Sequence, residues 1–415
     1  MKKQLGLIIV FIFGSFIGVS AQVQLSFSDY MHMVIDSNIG YAAERLNLNV
    51  AEAELKAVKV FNDFTFSAEY ANNSDWSLLM GQGVSVGLSK TFSFGKRRAN
   101  IDLAKSEKEL TAALLDDYLR NLRADAAIAY FNALRSRDQL AIVRNAYQNI
   151  KQLADADSVR FFKGKISETN AIQSRLEAGI ANNQMMQATL EFDKTIGDLL
   201  LLFADDRTIN YTLSGELDML VIDYNLDSLQ QVAMENRADL AVAINNIEVA
   251  NRVLKVTHAE RNTDFDISLG GNYNTRVRNQ EAPAPSFTGF TVGVSVPLKF
   301  SNVNKGAIRA QELRIQQVEK IYEKEKRRVK SEVFQNYTAY RGLCHQVMNY
   351  DNDLLTRAKE VINSKIYAYK RGDCSLLEVL DAQRTYDDIQ HQYVETLYNR
   401  AVAFVELQRS IGVVQ

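Results

Sequence analysis

The sequence predicts a mainly α-helical chain that also carries four strands of membrane-barrel type. Three observations carry this. Helical apolar spacing fills most of the chain, the plan is written twice, and each half holds two strictly alternating segments. Phe290–Phe300 shows the alternation: Phe290, Val292, Val294, Val296, Leu298 and Phe300 are separated by Thr291, Gly293, Ser295, Pro297 and Lys299. That spacing gives one oily and one wet face. Val84–Phe94 repeats it almost unchanged.

The N-terminus reads as a secretory signal peptide, residues 1–21. Lys2 and Lys3 precede an apolar run from Leu5 to Val19, and Val19-Ser20-Ala21 fits a small-residue cleavage site. The run is short for a spanning helix of about 20 residues. With 48 basic and 50 acidic residues, a formal net charge of −2, the chain does not point to nucleic acid. No later apolar run is long enough for a membrane helix. Any membrane portion must therefore be made of strands, and an open sheet edge is not viable in lipid.

Cys344 and Cys374 do not make a disulfide framework. Cys374 lies at the expected turn and Cys344 about 28 residues before that turn on the long helix, or roughly 40 Å away, far beyond the ~7 Å that a disulfide tolerates. The four histidines are scattered, and no metal-binding spacing is present.

A search for repeats aligns Gly87 with Gly293, Tyr70 with Tyr273 and Gly164 with Gly372. The first repeat is read over 22–205 and the second over 226–415, joined by a turn-rich linker, 206–225. In order, each holds a helix (28–61, 226–260), a strand (64–71, 264–273), a polar loop (72–82, 274–289) and a second strand (84–94, 290–300). A very long helix follows (97–161, 305–370), then a turn at Gly164 or Gly372 and a last helix (167–203, 375–411). Glycine suits the residue just past a helix end. Each long helix should reach roughly 100 Å, so it should pack beside two shorter ones laid end to end. Leu110, Leu114, Tyr118, Leu122, Ala126, Ala129 and Ala133 step by four or three and give it a packing stripe.

The first and third strands alternate like the others: Phe64, Phe66, Ala68 and Tyr70 in one, Phe265, Ile267, Leu269 and Tyr273 in the other. Segments of about ten residues with this pattern and aromatic ends suit a membrane barrel. A sheet covering a soluble core gives the same alternation. Small barrels need about eight strands, so four from one chain must be pooled between copies. Three copies would give twelve strands and a water-filled lumen. The spacing alone also permits two or four.

The two halves, "FSFGKRRANIDLA" after the second strand, "KFSNVNKGAIRA" after the fourth, and above all "YAYKRGDCSLLEVLDAQRTYDDIQ" resemble the TolC-like outer membrane efflux proteins. The resemblance covers essentially the whole mature chain. It implies long α-helical hairpins forming a periplasmic tunnel, and four strands per chain contributing to a shared 12-stranded trimeric barrel. It implies a passive exit duct of a tripartite efflux or type I secretion system, located in the cell outer membrane of a Gram-negative organism with a periplasmic extension. The implied partners are two further copies, a periplasmic adaptor protein, an inner-membrane transporter and outer membrane lipid, without nucleic acid or cofactor. The chain lacks the Pro that often enters the first strand of each half in this family, and Thr91 stands where the second half has Pro297.

The resemblance also places the site. Glu378 and Asp381, three apart on one helix face, match the acidic pore constriction, where crowded like charges would raise some pKa values and attract cations. Their first-half counterparts, Asn170 and Gln173, are neutral. Tyr369 and Arg371 are candidates for contacts that hold the mouth shut. Phe161, Phe162, Gly164, Lys370 and Gly372 mark the hairpin tips and the adaptor contact. Gly95-Lys96-Arg97-Arg98 would face lipid head groups from the periplasmic side. Two other readings compete: a structural coiled-coil envelope protein, and a periplasmic adaptor without a conduit. No nucleophile–base pair, phosphate loop or zinc motif suggests an enzyme.

Overall fold

The computed structural model describes residues 23–72, 76, 78–204, 211–218, 222–298 and 304–413. The expected signal peptide, the strand end at Lys299–Phe300 and parts of the linker lie outside these residues. The described chain divides into two compact units, each drawing on both halves of the sequence.

The first unit holds residues up to Asn38, 126–220 and 346–401. It begins with β1 (Val23–Leu25) and α1 (Phe27–Ser37). Ser26 caps α1 by accepting from the Asp29 amide. The expected helix 28–61 is in fact two. Asn38 takes an extended conformation, and its side chain donates to the Leu202 carbonyl at 2.8 Å. The linker is not plain coil either: β4 (Tyr211–Leu213) pairs parallel with β1. The Tyr130 hydroxyl lies 2.9 Å and 2.6 Å from the carbonyl oxygens of Leu25 and Ser214 and fastens this pair. Tyr30, Tyr130, Leu134 and Leu199 are fully buried around it.

Four helices supply the rest of this unit. Helix α3 (Lys96–Phe162) ends here and turns at Gly164 into α4 (Glu168–Leu202). Helix α8 (Leu355–Arg371) turns at Gly372 into α9 (Leu376–Ile411). The second long helix, expected unbroken over 305–370, is interrupted: a π-turn at Tyr350–Leu354 separates α8 from α7 (Lys305–Asn349). The expected stripe on α3 is only partly buried within one chain. Leu122, Ala126 and Ala133 are covered, whereas Leu114 is exposed.

The second unit holds 39–125, 221–345 and 402–413 of the described residues. Helices α5 (Leu226–Asn236) and α6 (Ala238–Ala259) pack with α7 and the end of α9, and α2 (Ile39–Val58) is tied to α3 by an ion pair between Glu52 and Lys108 at 2.7 Å. The expected helix 226–260 therefore also breaks, at Arg237. Leu229, Leu240, Val329, Val333, Tyr340 and Leu407 form the core. Arg237, only 5% exposed, binds Asp239 at 2.5 Å, Glu332 at 2.6 Å and the Ser410 carbonyl at 3.1 Å. Burial would raise the Asp239 carboxyl, but the Arg237 guanidinium, with Arg120 and Arg328 beyond it, holds it down at about 2.

The strands complete this unit: β2 (Thr65–Ala71), β3 (Gly83–Phe92), β5 (Phe265–Asn274) and β6 (Phe287–Ser295). They form one antiparallel sheet in the order β2-β3-β5-β6. The last strand starts three residues earlier than expected and stops short of Pro297, which cannot donate to a ladder.

Candidate functional site

The sheet registers set the first functional surface. Phe66, Leu88, Leu269 and Val292 lie in one cross-strand row, and Ala68, Val86, Gly271 and Phe290 in the next. Phe66, Leu88, Leu269, Val292 and Val294 are all exposed in the single chain. An exposed apolar face of this extent marks a contact with lipid or protein. The opposite rows are Ser67, Gly87, Gly270 and Thr291, then Thr65, Ser89, Ser268 and Gly293. This face is polar and small. A Cβ on Gly87 would stand 2.8 Å from the Ser67 hydroxyl, and one on Gly270 3.1 Å from the Val86 carbonyl. Among the described residues no helix is long and apolar enough to cross a membrane.

The second surface is the pair of helical turns in the other unit. Gly164 (φ 67°) and Gly372 (φ 90°) adopt the left-handed conformation. In each turn the glycine amide and the one after it close back on the helix: Lys165 to Arg160 at 2.8 Å, Asp373 to Ala368 at 2.9 Å. Phe162 is 82% exposed at the first tip, and the Phe161 ring lies tilted beside it, 6.0 Å between centroids. Lys370 and Arg371 end α8. Arg371 pairs with Asp373 at 3.1 Å and lies over the Tyr367 ring, so it braces its own turn.

Tyr369 is buried, and its hydroxyl lies 3.0 Å from both carboxylate oxygens of Asp157 on α3, to which it donates. Asp157 is itself fully buried. Arg160 stacks 4.9 Å above the Tyr369 ring and reaches Asp157 at 3.5 Å. Burial, helped by the adjacent carboxylate, pushes the Tyr369 phenol up to about 12. These three side chains border a cleft of about 310 Å³ with Leu153, Ile366 and Gln383. The sequence points to Tyr369 but not to its contacts with Asp157 and Arg160. The signal was an acidic residue one turn before Phe161 on the packed side of a helix.

Glu378 is exposed and ion-paired. Lys365 of α8 reaches it at 2.7 Å. The Ser375 amide and hydroxyl both donate to its other oxygen at 3.1 Å, and the Glu378 amide returns a 3.4 Å bond to the Ser375 hydroxyl. This is a capping box at the start of α9. Lys365 first, then Ser375, holds the Glu378 carboxyl down at about 2. Within one chain, then, Glu378 is the reverse of a carboxyl raised by crowding. Asp381, one turn on, is exposed and has no ion pair among the described residues. Both border a groove between α8 and α9, with Val361 and Tyr386. At the first tip Ser167 caps α4 through the Asn170 amide at 3.3 Å, with no carboxylate. Cys344 and Cys374 are free thiols.

This arrangement has relatives. Residues 41–200 and 229–413 match the outer membrane efflux protein family. The chain is 23% identical over 333 residues to the cobalt-zinc-cadmium resistance protein CzcC of Cupriavidus metallidurans, covering 77% of this chain and 74% of that protein. Its fold is similar to the outer membrane channel CmeC of Campylobacter jejuni, with a TM-score of 0.78 at 15% identity over 93% of this chain and 85% of the other. CusC gives 0.74 at 18% identity over 93% and 92%. The open state of the Neisseria gonorrhoeae channel MtrE gives 0.73 at 15% over 92% and 88%. The apolar sheet face is thus the wall of a barrel shared between subunits, and the helical hairpins belong to a periplasmic tunnel. Neither a plain coiled-coil protein nor an adaptor fits these matches. The chain belongs to the outer membrane efflux protein family and is a TolC-like exit duct of the outer membrane with a periplasmic extension.

Proposed function

We propose that three copies form one passive duct that receives cargo from an inner-membrane transporter through a periplasmic adaptor protein. One observation carries this reading. A four-stranded sheet with a largely apolar exposed face, interrupted by Lys90 and Thr288, and two unpaired edges is not viable in lipid until other copies close it. Two repeats, 22–205 and 226–415 with 206–225 between them, each supply one strand hairpin and one helical hairpin. No reaction is catalysed; the energy comes from the transporter. Glu378 and Asp381 form the constriction. Tyr369, locked to Asp157 under Arg160, keeps the mouth shut, and Arg371 stiffens its turn. Phe161, Phe162, Gly164, Lys370 and Gly372 present the tips to the adaptor. Native mass spectrometry and single-channel recording of the detergent-extracted protein test the core of this. A monomer without conductance ends the proposal.

The likeness to CzcC favours one cargo class, divalent transition-metal cations. A strain lacking the chain should become sensitive to cobalt, zinc or cadmium salts. Unchanged metal tolerance with lost tolerance of organic compounds would point elsewhere.

A further inference from the structure

The two hairpins repeat at the level of single residue pairs. Thr65 faces Ser89 in β2–β3, and Asp266 faces Ser295 in β5–β6. Ala68–Val86 and Tyr70–Val84 correspond in the same way to Leu269–Val292 and Gly271–Phe290. With Gly87 taken as the counterpart of Gly293, these ladders make Phe64 equivalent to Phe265 and Val86 to Val292, and they move the counterpart of Tyr70 from the expected Tyr273 to Gly271. The repeat continues into the helix junction. Gly95 and Asn304 both adopt positive φ just before a long helix, and both carbonyls accept the amide four residues on. Lys96 is thus equivalent to Lys305.

One ladder has no second version within the chain. The β3–β5 seam joins the first hairpin to the second, with Phe92 opposite Phe265 and Leu88 opposite Leu269. Its helix end is closed by an ion pair, Lys96 to Asp264 at 2.5 Å, and by Phe92 stacked 5.4 Å from Phe265. The equivalents of these closing residues are Lys305, Asp63, Leu298 and Phe64. All four are exposed. Asp63 and Lys305 have no ion pair among the described residues. The strand lengths agree: β3 runs on to Phe92 because β5 pairs with it, whereas β6 lacks that second neighbour and stops at Ser295.

From this we infer that subunits meet along a β6–β2 seam in one defined register, with an ion pair between Lys305 and Asp63 of the partner subunit at its helix end. The inference rests on the trimeric reading above. Transferring the β3–β5 register puts Val294 opposite Ala68 of the partner subunit, Val292 opposite Tyr70 of the partner subunit and Gly293 opposite Glu69 of the partner subunit. Apolar residues then meet apolar ones on the lipid face, and a glycine makes room for the one large side chain on the other. Val296 and Leu298 become strand, opposite Phe66 and Phe64 of the partner subunit. Pro297 replaces Thr91, so this seam has one donor fewer than the inner ladder.

The test uses the full chain with Cys344→Ser and Cys374→Ser. Directly opposed antiparallel residues have Cα atoms about 4.5–5.5 Å apart, within the ~4.4–6.8 Å that a disulfide accepts. Oxidation of the Ala68→Cys, Val294→Cys protein should yield covalent dimers and closed trimers on non-reducing gels. The shifted pair, Tyr70→Cys with Val294→Cys, should yield roughly a tenth as much. The reverse preference in a protein that native mass spectrometry shows to be trimeric overturns the register and leaves the trimer standing. A protein that is monomeric throughout overturns both. Asp63→Lys and Lys305→Asp should each lower the temperature at which the trimer dissociates in dodecyl sulfate, and together recover at least half the loss. A double variant no better than the singles overturns the ion pair.

Discussion

The Gly164 and Gly372 turns share a backbone and differ in chemistry. Both use a left-handed glycine, the same pair of closing amide bonds and a serine that caps the next helix. The side chains then diverge at equivalent positions. Asp157 is buried against Tyr369, while its counterpart Lys365 is bonded to Glu378. Tyr369 is enclosed, while its counterpart Phe161 is 37% exposed. Asn170 leaves uncharged what Glu378 charges. A duplicated scaffold needs both turns for its geometry, so backbone signals persist in both. Only the second turn pairs a buried tyrosine with an acidic face on the next helix, Glu378 and Asp381.

The largest test of this difference is at the latch. Tyr369→Phe keeps the ring but leaves the buried Asp157 carboxylate short of a donor, at a cost of about 1–3 kcal/mol. If the contact exists only in the shut state, the shut–open equilibrium moves by roughly tenfold, and single-channel recordings should show more time open. Phe161→Leu, at the equivalent place, should leave the recordings unchanged. Equal effects from both would erase the distinction between the turns.

Cation block comes next. Because Lys365 already neutralises Glu378, Asp381→Ala should weaken divalent-cation block more than Glu378→Ala. Lys365→Met should strengthen it, by roughly thirtyfold, since one carboxylate charge released ~4 Å from a divalent cation in water is worth about 2 kcal/mol. Asn170→Ala and Gln173→Ala should do nothing. Block that survives in the Glu378→Ala, Asp381→Ala protein would remove the constriction from this turn.

Smaller effects concern folding. Ser167→Ala and Ser375→Ala should each cost about 1 kcal/mol. Ser375→Ala should cost more, because its capping box carries reciprocal bonds; amide exchange in the first turns of α4 and α9 reads the difference. Beyond the turn, burial first, with Asp388 nearby, pushes the Asp387 carboxyl on α9 up to about 6, against the pull of the Gln383 amide. The native state therefore holds that proton longer than the unfolded chain does, and stability falls as pH rises from the ordinary aspartate value through about 6. Asp387→Asn should raise the melting temperature at neutral pH by roughly 2 °C and leave it unchanged in acid.

Much of this was legible in the chain. Strand alternation and the two glycine turns are local signals with fixed periods; the turns and the first three strands of the sheet lie within a residue or two of their expected places, while the last strand starts three residues early and ends five short. The breaks at Asn38 and Arg237 were not legible, because what stabilises them is distant in sequence: the Leu202 carbonyl for one, Glu332 and Ser410 for the other. The same holds for β4, whose partner β1 lies at the other end of the repeat. Glu378 and Asp381 were found as an acidic face, but Lys365 lies thirteen positions away across a turn, and no helical period connects it to them. Asp157 was hidden for the opposite reason. An isolated aspartate on a long helix looks solvated until its tyrosine is seen.

The small polar rows of the sheet have a last consequence. Serine, threonine and glycine leave the centre of this face with short side chains, while Glu69, Asn272 and Asp266 stand toward its ends. The middle of that face is therefore built to be indifferent to what lies against it, and its two ends, at Glu69 and Asp266, are the places where charge is felt.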